Sequence, residues 1–237
     1  MTGTRAAPRS EPASQPVTSL RGVGADLAGR LARLGVTTLE DLFFLLPLRY
    51  EDRTRVAPIG SLRAGERAVV EGEIRLTEVV FRGRRSLLSS IADGTGGLTL
   101  RFFHFSRAQA DGLKRSARIR CFGEVRRGPA GLEMIHPEYR LIAPGYEPAI
   151  EESLTPIYPS TEGVQQGRLR RLTGLALDTL ERRGLEEHLP NEVRAALDLP
   201  PLAEAVRYVH RPPPDASLDQ LAAGRHPAQR RLAFEEL

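Results

Sequence analysis

Residues 67–81 read RAVVEGEIRLTEVVF. Apolar and polar residues alternate along them with a period of two, the pattern of a long strand rather than a helix. The following residues keep that period and break it at glycine turns. FRGRR (81–85) is a turn and SLLSSIA (86–92) a second strand. DGTGG (93–97) is a strong turn signal, and LTLRFFHF (98–105) a third strand. SRAQADGLKR (106–115) suits a short helix with Ser106 as its N-cap. ARIRCFGEV (117–125) is the fourth strand, RRGPAG (126–131) another turn, and LEMI (132–135) opens a fifth. Three strands, a helix and two strands within about 80 residues is the order of an OB-fold, a small closed Greek-key barrel that binds extended ligands. Other small barrels fit parts of the same order.

Upstream, the period is 3.6. In SLRGVGADLAGRLARL (19–34) a Gly-Val-Gly turn opens a helix whose apolar side is Leu27, Leu31 and Leu34. Gly35 ends it where a left-handed residue is wanted. Thr38 starts a second helix with Asp41 as capping-box partner; Leu39, Leu42, Phe43 and Leu46 form its buried stripe before Pro47. Two short helices behind a G-x-G look like a helix-hairpin-helix, in which Gly22 and Gly24 let backbone N–H groups approach a phosphate. A plain helical hairpin packed on its neighbour fits the same residues. One GVG does not separate the two.

Downstream, LIAPGYEPAIEESLTPIYPSTEGV (141–164) is rich in Pro and Glu and reads as a connector. Helices resume near Val164. GRLRRLTGLALDTLERR (167–183) carries Leu169, Leu172, Ala176 and Leu180 on one side, with Asp178 and Arg182 spaced to pair at i,i+4. Pro190 and Pro201 stand where prolines open helices. HPAQRRLAFEEL (226–237) is helix-forming and carries no stop signal, so a helix that continues into further chain is expected.

The net charge of +4 is unevenly placed. Between Gly60 and Leu141, fifteen Arg or Lys stand against nine Asp or Glu. The barrel stretch is therefore basic, which suits a polyanionic ligand; an ordinary solvated surface is the competing reading. One cysteine, Cys121, excludes an internal disulfide and a thiolate zinc cluster, and fits a reducing cytoplasm. No run approaches the roughly 18 apolar residues of a membrane span. The N-terminus lacks the apolar region of a secretory signal, and its Pro, Ser, Ala and Thr content reads as disordered. No G-x-x-x-x-G-K-[ST], H-E-x-x-H or G-x-S-x-G occurs, and the histidines (His104, His136, His188, His210, His226) are scattered. No catalytic residue, metal or cofactor is expected in this chain.

In LTLRFFHFSR (98–107), a strand puts Leu98, Leu100 and Phe102 on one face and Thr99, Arg101, Phe103 and Phe105 on the other. The all-apolar face belongs inside the barrel. Phe103 and Phe105 beside Arg101 then make an outer platform of the kind that stacks unpaired bases. The pattern leaves open whether these rings instead pack against flanking helical segments. Arg82, Arg84 and Arg85 in the first hairpin, and Arg126 and Arg127 in the last, are candidate phosphate contacts or simply solvated turn residues.

Five separated stretches resemble the N-terminal region of RecG helicases. They are LPLRYEDR (46–53), DGTG with RFFHF (93–105), GEVRRG with EMIHPEYR (123–140), LTPIYPSTEGV (154–164) and HPAQRRLAFEEL (226–237). The resemblance implies an ATP-dependent DNA translocase that reverses stalled replication forks and migrates Holliday junctions. It implies that the barrel is a wedge splitting duplex arms while a C-terminal two-lobed motor pulls on the DNA. It implies that Phe103 stacks on a base at the branch, with Phe102 a buried neighbour or second contact. Where some members carry a further aromatic four residues on, this chain has Arg107, whose guanidinium can also lie flat on a base. ATP and Mg are implied for the intact protein and not for this chain.

The expected fold is α+β: a disordered segment at 1–17, a helical hairpin at 18–58, a five-stranded OB-fold wedge at 59–143, a linker at 144–163, and a helical section at 164–237 leading into an absent motor. The expected protein is a cytoplasmic monomer that binds forks, Holliday junctions and D-loops but no membrane, and is inactive as an ATPase by itself. A free-standing single-strand-binding barrel and a protein-interaction module without DNA binding are the alternatives.

Overall fold

The computed structural model describes residues 15–235, with Arg82 described by its backbone alone. Residues 1–14, read above as disordered, lie outside it. In chain order come α1 (Ala25–Ala32), α2 (Leu39–Phe43) and β1 (Arg49–Glu51), then β2 (Arg67–Arg82), β3 (Arg84–Ala92), β4 (Gly97–Phe102), α3 (Arg107–Gly112), β5 (Arg118–Gly128), β6 (Gly131–Ile135) and β7 (Glu138–Ile142). After β8 (Thr155–Ile157) come α4 (Gln166–Arg183), α5 (Asn191–Leu197), α6 (Leu202–His210), α7 (Leu218–Ala222) and α8 (Pro227–Glu235). Strands β1 and β8 pair with each other. The chain divides into two compact units: Glu51–Thr155, and Met1–Tyr50 with Pro156–Leu237.

The first unit is the barrel. Its strands run β2-β3-β4-β6-β5, and β5 pairs back onto β2 from Arg67↔Glu124 to Glu73↔Arg118. The ring is therefore closed, with β4 and β6 parallel and α3 between β4 and β5, as in an OB-fold. Strand β7 adds to the outer edge of β5. Alternation fills the interior with Leu87 and Ile91, Leu98, Leu100 and Phe102, Ile119 and Met134. Cys121 is 1% exposed there, and burial pushes its thiol up to about 12. A bulge between Ile74 and Leu76 shifts the β2–β3 register.

The DGTG turn has a structural task. Asp93 accepts hydrogen bonds from the N–H groups of Ile59, Thr95 and Gly96, and Thr95 Oγ1 accepts one from Gly60. Burial works against its charge, but these donors outweigh it and hold the Asp93 carboxyl at about 2. Gly60 and Gly96 are glycines because the two turns touch: a Cβ on Gly60 meets the Thr95 carbonyl oxygen. The Arg53 guanidinium stacks 3.8 Å from the Phe122 ring centroid and bonds Glu51 and Glu138.

In the second unit the N-terminal and C-terminal helices share one core. Leu31 and Leu42 pack with Leu169, Leu172, Ala176, Leu180, Val206 and Leu232. The N-terminal part of 18–58, up to Tyr50, and 164–237 are thus not separate modules, because neither buries its apolar stripe alone, whereas 51–58 belong to the barrel unit. Tyr158, placed by sequence in a linker, and Val17, placed in the disordered segment, are buried in that core too. Thr38 and Asp41 form the capping box. Asp178 bonds Arg211 rather than Arg182, which turns to Thr179 Oγ1. Arg231 is fully buried and bridges Glu187 and Glu235, each at 2.6 Å.

A buried polar network crosses this core. His210 Nε2 donates to the Phe43 carbonyl (2.9 Å), and His210 Nδ1 accepts from Tyr158 Oη (2.8 Å). Burial lowers the His210 pKa to about 4; the Phe43 carbonyl opposes the shift and Arg211 adds to it. The unfolded chain therefore takes up this proton more readily. Its contribution to stability is complete above pH ~6.5 and is lost as pH falls toward the folded value. Urea unfolding should show about 2 kcal/mol less stability at pH 5 than at pH 7 from this group. That part of the pH dependence should be missing in His210→Gln.

Candidate nucleic-acid interface

On its outer side the barrel carries a groove of about 580 Å³. Its floor comes from β3 and β4, one wall from β2 and the other from the β5–β6 hairpin. Leu76, Val80 and Leu88 make it apolar, and Ser90 and Thr99 add neutral hydroxyls. Glu78 lies on the β2 wall. The remaining charges cancel: Arg101 bonds Glu133 at 2.8–2.9 Å. Gly128 leaves room for that pair, since a Cβ there meets the Glu133 carboxylate at 2.6 Å. A slot with this lining accepts flat apolar faces better than phosphates.

Phe103 lines the groove beyond the end of β4. Strand β4 stops at Phe102, which is 3% exposed and packs edge-on against Tyr139 and His136. The next N–H, that of Phe103, donates to His136 Nε2 (3.1 Å) rather than to a neighbouring strand. The N–H of His136 in turn donates to the Arg101 carbonyl (2.8 Å). His136 makes both bonds from a left-handed backbone, φ +48°, a conformation that costs a non-glycine residue on the order of 1–3 kcal/mol. The ring of Phe103 thereby stands half-buried, 5.8 Å from His136 and 5.2 Å below the guanidinium of Arg84. Arg84 is held by a hydrogen bond to His104 Nε2 (2.7 Å).

Residues 16–179 match the RecG wedge domain family. The chain belongs to that family. It is 50% identical over 222 residues to the ATP-dependent DNA helicase RecG of Escherichia coli (strain K12), covering 94% of this chain and 32% of the relative. Against the RecG of Streptococcus pneumoniae serotype 4 (strain ATCC BAA-334 / TIGR4) it is 30% identical over 226 residues, 94% of this chain and 31% of the relative. The chain thus spans about a third of the length of these relatives. A solved structure of RecG bound to a three-way DNA junction superposes with a TM-score of 0.71 over 98% of this chain and 31% of that one. At 24% identity that likeness concerns the fold.

Within this RecG wedge domain, the residues singled out by sequence take up different places. Phe102 lies inside the barrel and is no surface contact, because strand alternation turns it inward. Arg101 and Arg126 are paired with Glu133 and Glu124. Arg84, Arg85 and Arg127 have no carboxylate partner among the described residues, and Arg107 is 94% exposed with Asp111 at 3.6 Å. These arginines lie in strands and at a helix start, not in loops: Gly83 alone, at φ +74°, turns the first hairpin. The side chain of Arg82 lies outside the described residues. Phe105 is half-buried against the barrel core, with Arg85 4.6 Å from its ring. Gly22 and Gly24 stand in the helical unit, where the Gly22 carbonyl accepts from Arg168 and Gly24 caps α1. No group of three or more metal-ligating side chains occurs among the described residues.

Sequence reasoning missed His136, which holds the backbone on both sides of Phe102. Only its place in EMIHPEYR marked it. The division between Phe102 and Phe103 is open to a stability measurement. Phe102→Ala should destabilise the barrel by about 3–5 kcal/mol in urea unfolding, and Phe103→Ala by less than half as much.

Proposed function

We propose that this chain binds branched DNA and serves as the strand-separating wedge of a RecG-type helicase acting in fork reversal, Holliday-junction migration, recombination and repair. The observation that carries this reading is the Phe103 ring, held beneath Arg84 in the lining of an apolar groove. An unpaired base meets Phe103 face-on and continues into the slot over Leu88. Phosphates meet the ends of the two hairpins, where Arg84, Arg85 and Arg127 have no carboxylate partner among the described residues. Glu78 and the Arg101–Glu133 pair give the slot itself no attraction for phosphate. Stacking and phosphate contact carry no sequence information, so binding selects the shape of the DNA. The names of the relatives and the junction-bound RecG structure support this reading.

On this reading the motor, with ATP and Mg, belongs to the rest of a longer protein. The 237 residues contain no phosphate-binding G-x-x-x-x-G-K-[ST], and the chain alone neither hydrolyses ATP nor unwinds DNA. A cytoplasmic monomer accords with it; among the described residues no helix is long and apolar enough to cross a membrane.

Titration of the chain with fork, duplex and single-stranded oligonucleotides tests the proposal. Fork DNA should bind tightest. Three such arginines give a salt slope of about −2.7, hence a loss of roughly 40-fold between about 50 and 200 mM salt. Phe103→Ala should weaken fork binding roughly 5- to 150-fold, the worth of one stacked base, and leave duplex binding nearly unchanged. Equal affinity for forks and single strands marks a free-standing single-strand binder. No binding to any of the three marks a protein-interaction module. Either result overturns the wedge.

A further inference from the structure

The β2–β3 hairpin outruns the barrel. Pairing of β3 with β4 ends at Leu87↔Phe102, yet β2 and β3 continue through Val80↔Ser86, Phe81↔Arg85 and Arg82↔Arg84. The result is a two-stranded ribbon whose successive residues face opposite sides. Arg84 turns to the groove side, over Phe103. Arg85 turns to the other side, over Phe105. Phe81 stands directly opposite Arg85 and shares its side, as does Val79 two residues back. Phe81 is 76% exposed and Val79 39%. A chain with eight Phe, five Tyr and no Trp thus holds one of its few aromatics out at a tip, next to an arginine.

We propose that Phe81 is a second base-stacking site, serving the DNA strand on the face of the ribbon opposite Phe103. This rests on the branched-DNA reading above. Each face of the tip presents a phenyl ring and an arginine without a carboxylate partner among the described residues, which matches a base and its phosphate rather than an apolar peptide. A ribbon only two strands wide separates the faces. The first unpaired nucleotides of two diverging strands can therefore meet Phe103 on one side and Phe81, with Arg85, on the other. Phe105, packed into the end of the barrel, fixes Arg85 from below.

The test uses forks carrying 2-aminopurine at the first unpaired position of one arm or the other, at protein concentrations that saturate each variant. Bound to wild-type chain, both arms should show a fluorescence change. Phe103→Ala should abolish it on one arm only, and Phe81→Ala on the other arm only. Phe81→Tyr, which keeps a ring, should behave as wild type. Because Phe81 is so exposed, its removal does not threaten the fold. If Phe81→Ala leaves both arms unchanged, or alters both equally, the second site is overturned while the wedge reading stands. If the wild-type chain fails to bind the fork, both fall.

Discussion

Seven residue pairs between β2 and β5, from Arg67↔Glu124 to Glu73↔Arg118, close the sheet on itself. That closure fixes which face of every strand is interior, and so which rings face out. Phe102 is drawn inside with Leu98 and Leu100. Its neighbour Phe103 must then leave the barrel surface, and His136 catches its N–H just where the ladder ends. The parallel pairing of β4 with β6 brings His136 to that point, one residue after Arg101↔Ile135. A strained residue there trades local backbone energy for a fixed ring position.

Charge in the barrel is arranged by the same closure. Several of its arginines face carboxylates from other parts of the barrel: Arg101 meets Glu133, Arg118 and Arg120 meet Glu71, and Arg53 meets Glu138. Arg84, Arg85 and Arg127, at the ends of two hairpins, have no carboxylate partner among the described residues. Two of these, Arg84 and Arg85, lie against the Phe103 and Phe105 rings. In the helical unit, buried polar groups do a different task. His210, Tyr158 and Thr173 tie α4 and α6 to the Phe43 carbonyl, and Arg231 ties α8 to Glu187.

Much of this was legible in sequence because strand period, glycine turns and caps are local. The order of the barrel strands, the Thr38–Asp41 box and the outward turn of Phe103 all follow from residues within a few positions of one another. What escaped is non-local. The core shared by the N-terminal helices and 164–237 depends on apolar stripes more than 100 residues apart. The neutralisation of Arg101 depends on Glu133, which lies across a parallel pair. The bulge at Ile74/Leu76 is subtler. An unbroken period of two assigns Leu76 and Val80 to the interior with Ile74. The bulge sends them to the groove and puts Phe81 on the opposite side.

Cys121 bears on how the protein can be handled. The chain has a single thiol, and it sits sealed in the barrel with almost no thiolate at neutral pH. Maleimides and iodoacetamides act on accessible thiolate, so the folded chain is chemically silent to them. A cysteine introduced at the ribbon tip would be the lone reactive position. Dyes or photo-crosslinkers can therefore be attached there on the native background, without first deleting a residue from the core.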